Sequence, residues 1–191
     1  MVSLVVPAPL APLPAGFVLR SSRMTQSNII AVAADGSARW RGNAYRCALG
    51  SAGVTARKRE GDHASPMGCF VLRRVFFRPD REPAPDTLLP VQPLRPDDGW
   101  CDDPASPAYN QAVSLPFAAR HEKLWRADSL YDVVVVIGHN DAPIVPGCGS
   151  AIFLHLARRD FAPTEGCIAF ARDDLLAILR DCDGDTRICI L

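Results

Sequence analysis

The sequence has no excess charge of either sign: 21 lysine and arginine residues balance 21 aspartate and glutamate residues. Proteins that bind nucleic acid or an anionic membrane surface usually carry a basic excess, because the phosphate groups they contact are negative. Nucleic acid is therefore not expected as a partner. The chain also contains no apolar run of about 18 residues, so no transmembrane helix is predicted.

The sequence also lacks the cysteine spacings of a zinc site. Its seven cysteines, at positions 47, 69, 101, 148, 167, 182 and 189, form no Cys-x-x-Cys pair and no Cys-x-His pair. An odd number of cysteines cannot pair completely within one chain. We therefore expect no complete disulfide framework and at least one free thiol.

A clear export signal is missing as well. Residues 1–27 are apolar with several prolines, but the first basic residue, Arg20, follows the apolar stretch, whereas a secretory signal places positive charge before it. We predict a proline-rich N-terminal segment over residues 1–27, either a poor signal peptide or the product of a misplaced start. The remaining residues, 28–191, are numerous and apolar enough for one domain with its own core.

Strand patterns dominate the first half of the chain. Residues 28–40 contain two β-prone runs around Asp35-Gly36, which predicts a hairpin. Residues 44–49 predict a further strand, and residues 69–77 a longer one. By contrast, residues 78–107 are rich in proline and are predicted to be a loop, which is a candidate lid over the active site.

The second half shows one strong buried strand. Residues 131–138 are β-branched almost throughout, which predicts a strand buried on both faces, and residues 151–156 are its predicted successor. Residues 173–179 predict a short amphipathic helix with acids in its first turn, and residues 187–191 a final strand. The fold class is therefore mainly β with one or two short helices.

Two residues carry the strongest chemical signal. Cys167 follows a glycine, and His155 stands twelve positions earlier, far enough for the chain to turn back and bring both side chains together. A neighbouring imidazole can take the proton of a thiol nucleophile and return it to a leaving amine. The alternative is structural, because a cysteine in an apolar setting is often a buried small hydrophobe and a lone histidine is often a hydrogen-bonded core residue.

The surrounding stretch, Gly-Ser-Ala-Ile-Phe-Leu-His at 149–155 and Pro-Thr-Glu-Gly-Cys at 163–167, resembles the L,D-transpeptidase catalytic domain (the YkuD-like family). Shorter matches extend the resemblance over about residues 40–191. They include Tyr109-Asn110, His121-Glu122 and Tyr131-Asp132.

The resemblance implies a β-sandwich-like domain in which Cys167 is the nucleophile and His155 the base. Gly166 or its neighbours would orient the imidazole and form the oxyanion site. The implied substrates are peptidoglycan stem peptides: the thiol attacks the third residue, terminal D-alanine leaves, and the acyl group passes to an amine or to water. No metal or organic cofactor is implied, we expect a monomer, and the implied location is the cell envelope or periplasm, with the cytoplasm left open by the missing export signal.

The resemblance also suggests substrate-binding residues. These are His139 after the strongest strand, three charged residues of one loop, and two hydroxyl residues of the signature: Lys58, Glu60, Asp62, Ser150 and Thr164. Each has a plain structural alternative, since charged loops are usually solvated and strand-end histidines are usually exposed.

One departure affects the acceptor chemistry. Much of the family has Arg or Asn two places after the cysteine, where this chain has Ala169, so a cation that recognises the peptide carboxylate would have to come from Arg158, Arg159 or Arg172. A hydrolase with the same intermediate, an L,D-carboxypeptidase or endopeptidase, is therefore a second hypothesis. A non-catalytic envelope-binding module or a thiol redox protein is a third.

A catalytic role predicts an activated thiol. We expect a Cys167 thiolate that is populated below neutral pH, whereas an inert thiol at or above the free value of about 8.5 would favour the binding module.

Overall fold

A computed structural model describes residues 28–191, so the predicted N-terminal segment, 1–27, lies outside the described residues. The strands are β1 Ile29–Val32, β2 Ser37–Trp40, β3 Asn43–Ala48, β4 Val54–Thr55, β5 Ser65–Pro66, β6 Gly68–Phe77, β7 Val91–Pro93, β8 Asp98–Cys101, β9 Ala112–Ser114, β10 His121–Lys123, β11 Val133–Ile137, β12 Phe153–Leu156, β13 Ile168–Phe170 and β14 Arg187–Ile190; one helix, α1, spans Arg172–Arg180. The mainly β fold class is confirmed, with a single short helix in this part of the chain. Over the same residues, no helix has the length and apolarity that a membrane span requires.

The largest sheet closes on itself. Its strands follow the order β11-β12-β13-β3-β2-β1-β14-β6, and β6 also pairs with β11, so that each of these eight strands has a neighbour on both sides. The predicted hairpin is confirmed as β1 and β2, and the predicted strands at 44–49 and 69–77 are β3 and β6. Closure satisfies the backbone groups that an open sheet would leave at its edges.

Alternate side chains of the central strands point to two different apolar clusters. In β11, Val133, Val135 and Ile137 belong to the main core, which also buries one face of α1. Val134 and Val136 belong to a second cluster on the other face of the sheet. This is the period of two that an extended strand imposes, and it confirms that β11 is buried on both faces.

A small antiparallel sheet, in the order β10-β8-β9, contributes residues to the second cluster. Trp100 of β8 packs edge-on against Phe153 of β12 at 5.2 Å, and Leu124, just after β10, is almost fully buried. The residues around this small sheet therefore cover the face of the large sheet that carries Phe153.

The loop predicted over residues 78–107 is wrong for two stretches, which form β7 and β8. Strand β7 pairs in parallel with β6 alone, so it lies at an edge, and an edge tolerates the missing amide of Pro93 at its end. Leu89, Leu94 and Cys101 are buried, so much of this segment belongs to the core.

One disulfide, between Cys69 and Cys189, was not predicted from the sequence. The two residues are direct partners in the register of β6 and β14, with Cα atoms 4.0 Å apart, and their sulfur atoms form a disulfide. The pair closes a loop with a sequence separation of 120 residues. The other five cysteines are free, which confirms the prediction of at least one free thiol.

Replacing Cys189 with serine is expected to lower the free energy of unfolding by about 2–5 kcal/mol, because the unfolded chain regains the entropy that a long cross-linked loop removes. Urea unfolding of the oxidised protein measures the change. The matched control is Cys148→Ser, which alters an exposed free thiol and is expected to change stability by less than about 0.5 kcal/mol. Seven titratable thiols in the unreduced, denatured wild type, instead of five, would contradict the disulfide.

Candidate active site

The parallel pairing of β12 and β13 brings Cys167 and His155 onto one face of the sheet. In this register His155 is the partner of Ala169, and Leu154 is the partner of Ile168. Continued by one residue toward the N-terminus, the same register places Cys167 next to Phe153. Side chains two residues apart on a strand share a face, so Phe153 and His155 point the same way as Cys167 and Ala169. The thiol and the imidazole are therefore diagonal neighbours on adjacent strands.

Both side chains line a cavity of about 320 Å³ on that face. Each residue is almost buried, with 8% of Cys167 and 6% of His155 exposed to solvent. The cavity wall also includes charged residues of both signs, among them Glu122, Arg126 and Arg158. Within residues 28–191, no hydrogen bond joins the Cys167 thiol to the His155 imidazole. The two groups therefore share a cavity but are not hydrogen-bonded to each other.

The position of the thiol is fixed by backbone groups. Cys167 Sγ donates a hydrogen bond to the Ala151 carbonyl at 3.2 Å and accepts one from the Phe153 amide at 3.4 Å. Ala151 has a positive φ of 52°, which an alanine adopts rarely. Its amide is held at 3.1 Å by the side-chain oxygen of Asn110, which also accepts from the indole of Trp100. Asn110 therefore stabilises the backbone conformation that receives the thiol.

The turn before Cys167 is held by Thr164. Its hydroxyl donates to the Cys167 carbonyl at 2.7 Å and accepts from the Gly166 amide at 3.1 Å. Thr164 also lines the cavity, but its hydrogen bonds are to the backbone around Cys167, so its main contribution is to position the cysteine. Gly166 has a φ of 132°, and a Cβ there would lie 2.9 Å from the Ala64 carbonyl oxygen, so only glycine fits without a shift.

The imidazole is oriented by a different group from the one expected. His155 Nδ1 lies 2.9 Å from the Leu156 carbonyl, to which it donates, so Nε2 remains the proton acceptor. The ring packs edge-on against Tyr131 at 5.3 Å. The Gly166 amide donates its hydrogen bond to Thr164, so it is not free to serve as an oxyanion donor in this geometry. Gly166 also does not orient His155, because the imidazole is held by the Leu156 carbonyl.

The surroundings of Cys167 do not favour the thiolate that was expected below neutral pH. Burial, reinforced by the charge of Glu122, raises the pKa of Cys167 to about 12. Burial also lowers the pKa of His155 to about 4. Both shifts have the same cause, because a buried site disfavours whichever form carries charge. The resting pair is therefore a neutral thiol and a neutral imidazole.

Four of the predicted substrate-binding residues form two hydrogen-bonded pairs at the cavity. Lys58 is hydrogen-bonded to Asp62, and Glu60 accepts hydrogen bonds from Ser150, at 2.7 Å, and from Tyr109. Burial raises the pKa of Asp62, but the Lys58 ammonium and two backbone amides outweigh it and hold that pKa below its usual value. The cavity is lined by Lys58, Glu60 and Ser150. Asp62 does not line it, but pairs with Lys58.

His139 is not brought into this cavity. It lines a neighbouring one of about 490 Å³, where its Nε2 lies 3.0 Å from the Cys148 carbonyl and its ring packs against Phe70. Burial lowers the pKa of His139. The structure thus separates it from the pair formed by Cys167 and His155.

The cations offered as replacements at position 169 differ in their surroundings. Arg172 forms a salt bridge with Glu82, and Arg159 does not line the cavity. Arg158 does line it and is exposed, and its side chain has no hydrogen bond or salt bridge within the described residues. Among the three, Arg158 is the cation that a substrate carboxylate can reach.

Tyr131 and Glu122 lie beside the pair formed by Cys167 and His155, and the sequence alone assigned neither of them a role. Tyr131 donates a hydrogen bond of 2.7 Å to Glu122 and contacts the His155 ring. Burial raises the pKa of both groups. Their motifs, His-Glu and Tyr-Asp, were visible in the sequence, but the contact between them depends on the small sheet that covers the site. No group of three or more His, Cys, Asp or Glu side chains in residues 28–191 is arranged to hold a metal ion.

The lowered pKa of His155 predicts a loss of stability in mild acid. The unfolded state takes up a proton near pH 6.5 and the folded state only near pH 4, so stability is unaffected above pH 6.5 and falls between these values, by up to about 3 kcal/mol. His155→Gln should remove this component, as measured by urea unfolding between pH 4 and 7.5.

The control is His63→Asn, which replaces an exposed histidine at a φ of 55° with a residue that tolerates this conformation. It should keep the wild-type pH dependence. A His155→Gln profile parallel to that of the wild type would contradict the buried, neutral imidazole.

Comparisons with known proteins give one family match over most of the chain. The family model described as the L,D-transpeptidase catalytic domain (YkuD) matches residues 23–190. No curated protein matches the sequence at a significant level. Among solved structures, the helical cell shape determining protein Pgp2 from Campylobacter jejuni aligns with a TM-score of 0.41 and 15% identity, over 85% of this chain and 46% of that one. The chain thus spans less than half the length of that protein.

The family match covers nearly the whole chain, including Cys167 and the strand that carries His155. The chain therefore belongs to the L,D-transpeptidase catalytic domain family.

Proposed function

We propose that the protein is an L,D-transpeptidase that acts on peptidoglycan stem peptides through a thioacyl intermediate on Cys167, with His155 as the general base. The observation that carries the proposal is the shared face of β12 and β13, which directs both side chains into one cavity. Membership of the family supplies the substrate class, and the buried pair supplies the chemistry.

Acylation starts from the neutral pair. When the carbonyl of the third stem residue approaches Sγ, the thiol proton moves to His155 Nε2 as the carbon–sulfur bond forms. The imidazolium then gives this proton to the nitrogen of the departing D-alanine as the carbon–nitrogen bond breaks. A thiolate formed in advance would be costly here, since each difference of one in pKa corresponds to about 1.4 kcal/mol. Proton transfer therefore accompanies the attack.

The hydrogen bond between the Cys167 thiol and Ala151 must break in this step. The Ala151 carbonyl holds the thiol proton at rest, so the side chain has to rotate before Nε2 can receive it. Substrate binding would drive the rotation, because apo sites often reach catalytic geometry only in the complex.

The cell envelope is the proposed location. The family acts on peptidoglycan, and a disulfide such as Cys69–Cys189 persists in an oxidising compartment rather than in the reducing cytoplasm. The two arguments are independent of each other, since one concerns the substrate and the other the redox environment.

Two alternatives each have an observation in their favour. Hydrolysis of the same intermediate, as in an L,D-carboxypeptidase or endopeptidase, is favoured by Ala169, which leaves no cation beside His155 on β13. A non-catalytic envelope-binding module is favoured by the raised pKa of Cys167. The first differs from transpeptidation only in the acceptor, and the second predicts no covalent intermediate.

Incubation with a disaccharide-tetrapeptide separates these functions. Transpeptidation predicts release of D-alanine together with cross-linked dimers, hydrolysis predicts D-alanine and tripeptide alone, and a binding module predicts neither. Because sulfur forms the intermediate, Cys167→Ala should lower the rate by at least about a thousandfold, and His155→Gln by about a hundredfold or more. Liquid chromatography with mass spectrometry measures the products. Cys148→Ser serves as the thiol control, and full turnover by Cys167→Ala would overturn the proposal.

A further inference from the structure

Glu122 is an acid in the same cavity as the thiol, and the reaction described so far does not use it. It lies on β10, the strand of the small sheet that pairs with β8. One carboxylate oxygen, Oε1, accepts the Tyr131 hydroxyl at 2.7 Å. The other, Oε2, has no hydrogen-bond partner within residues 28–191 and is not among the buried atoms that are sealed from solvent without a partner. Oε2 is therefore accessible to solvent, in a residue that lines the cavity.

The nearby guanidinium is shared between two acids, and its ion pair with Glu122 is the longer of the two. Arg126 donates two hydrogen bonds to Asp128, at 2.8 and 2.7 Å, whereas its distance to Glu122 Oε1 is 3.7 Å. The other acids of the cavity differ from Glu122. Glu60 accepts two hydroxyl groups at Oε2 and has Arg120 at 4.0 Å from Oε1, Asp102 pairs with Arg120, and Glu165 is exposed.

A negative group at this position opposes the first half of the reaction. The charge of Glu122 raises the pKa of Cys167, so it disfavours the thiolate that attacks the stem peptide. Placing a carboxylate in a partly desolvated wall also costs free energy, which the Arg126 guanidinium offsets only in part, because burial still leaves the pKa of Glu122 raised. Both costs point to a positively charged group that enters the cavity after the thiol has been acylated.

We infer that Glu122 binds and deprotonates the ammonium group of the acyl acceptor, and so directs the thioacyl intermediate to a primary amine instead of water. The inference rests on the proposed function and specifies its second half. It assigns Glu122 as a catalytic residue for the acceptor, and Tyr131 as the residue that positions the carboxylate.

The protons balance as follows. The acceptor enters as an ammonium ion with three protons, and one of them passes to Glu122 Oε2. The resulting amine attacks the thioester carbonyl, the new carbon–nitrogen bond forms, and the carbon–sulfur bond breaks. A second proton moves from the nitrogen to His155 Nε2 and from there to the departing sulfur, and the third stays on the amide product. Glu122 then releases its proton to solvent, and the neutral thiol and imidazole are restored.

Burial raises the pKa of Glu122, which makes its carboxylate a stronger proton acceptor for an ammonium group than an exposed glutamate is. Water as the acceptor needs only His155. Loss of Glu122 should therefore affect transfer to a charged amine much more than hydrolysis.

The test measures how the acyl-enzyme partitions among three acceptors. Full-length wild type and Glu122→Gln are incubated with disaccharide-tetrapeptide, alone, with glycine, or with hydroxylamine, which is uncharged at neutral pH. In Glu122→Gln, transfer to glycine relative to hydrolysis should fall by at least about tenfold, while transfer to hydroxylamine relative to hydrolysis should change less than about twofold. Glu122→Asp, which keeps the carboxylate, should recover part of the transfer to glycine.

Glu165→Gln is the matched control, because it removes the same charge from the exposed rim of the cavity. It should leave the partition ratio within about twofold of the wild type, since exposed charges are screened by solvent. Equal losses with glycine and hydroxylamine, or an unchanged ratio with glycine, would overturn the role of Glu122 and leave the proposed function standing. Absence of any acyl-enzyme in the wild type would instead overturn the proposed function and this inference with it.

Discussion

The parallel ladder between β12 and β13 is the constraint on which the site depends. Its register fixes which side chains of the two strands are neighbours, and the alternation along each strand sends Leu154 and Ile168 into the main core and His155 and Cys167 to the opposite face. A slip of one residue would exchange these faces, burying a polar pair in the core and exposing leucine and isoleucine in the cavity. The hydrophobic core therefore specifies the positions of the reactive groups.

The burial of Cys167 and His155 is the second constraint. It favours electrostatic interactions with a bound substrate, but it disfavours the charged forms of the thiol and the imidazole. The cover formed by the small sheet excludes water from the Cys167 and His155 side chains, which strengthens electrostatic interactions with a substrate. The same desolvation keeps the resting thiol and imidazole neutral. A neutral pair avoids an unpaired buried charge, and in the proposed reaction the substrate carbonyl supplies the group on which negative charge develops. A raised pKa of the Cys167 thiol is therefore compatible with the proposed catalytic role.

The sequence predicted the parts of the fold that depend on local patterns. The β-branched run became β11, the Asp35-Gly36 turn joined β1 and β2, and the acidic start of α1 was visible. It did not predict β7 and β8, because their pairing with distant strands outweighs the local effect of the prolines. The Cys69–Cys189 disulfide could not be predicted for the same reason. The two cysteines are distant in sequence and become neighbours only through the register of β6 and β14. Within the site, the motif identified Cys167 and His155, but the pKa shifts and the contact between Glu122 and Tyr131 arise from tertiary burial that no local pattern encodes.

The central claim is that Cys167 is a nucleophile that forms an acyl-enzyme. A carbapenem tests it most directly, because its strained lactam carbonyl acylates an active-site thiol of this family without requiring an acceptor. Intact-protein mass spectrometry of the wild type should show one covalent adduct, and Cys167→Ala should show none. A folded wild type that remains unmodified, or an adduct that persists in Cys167→Ala on another thiol such as the exposed Cys148, would contradict the account.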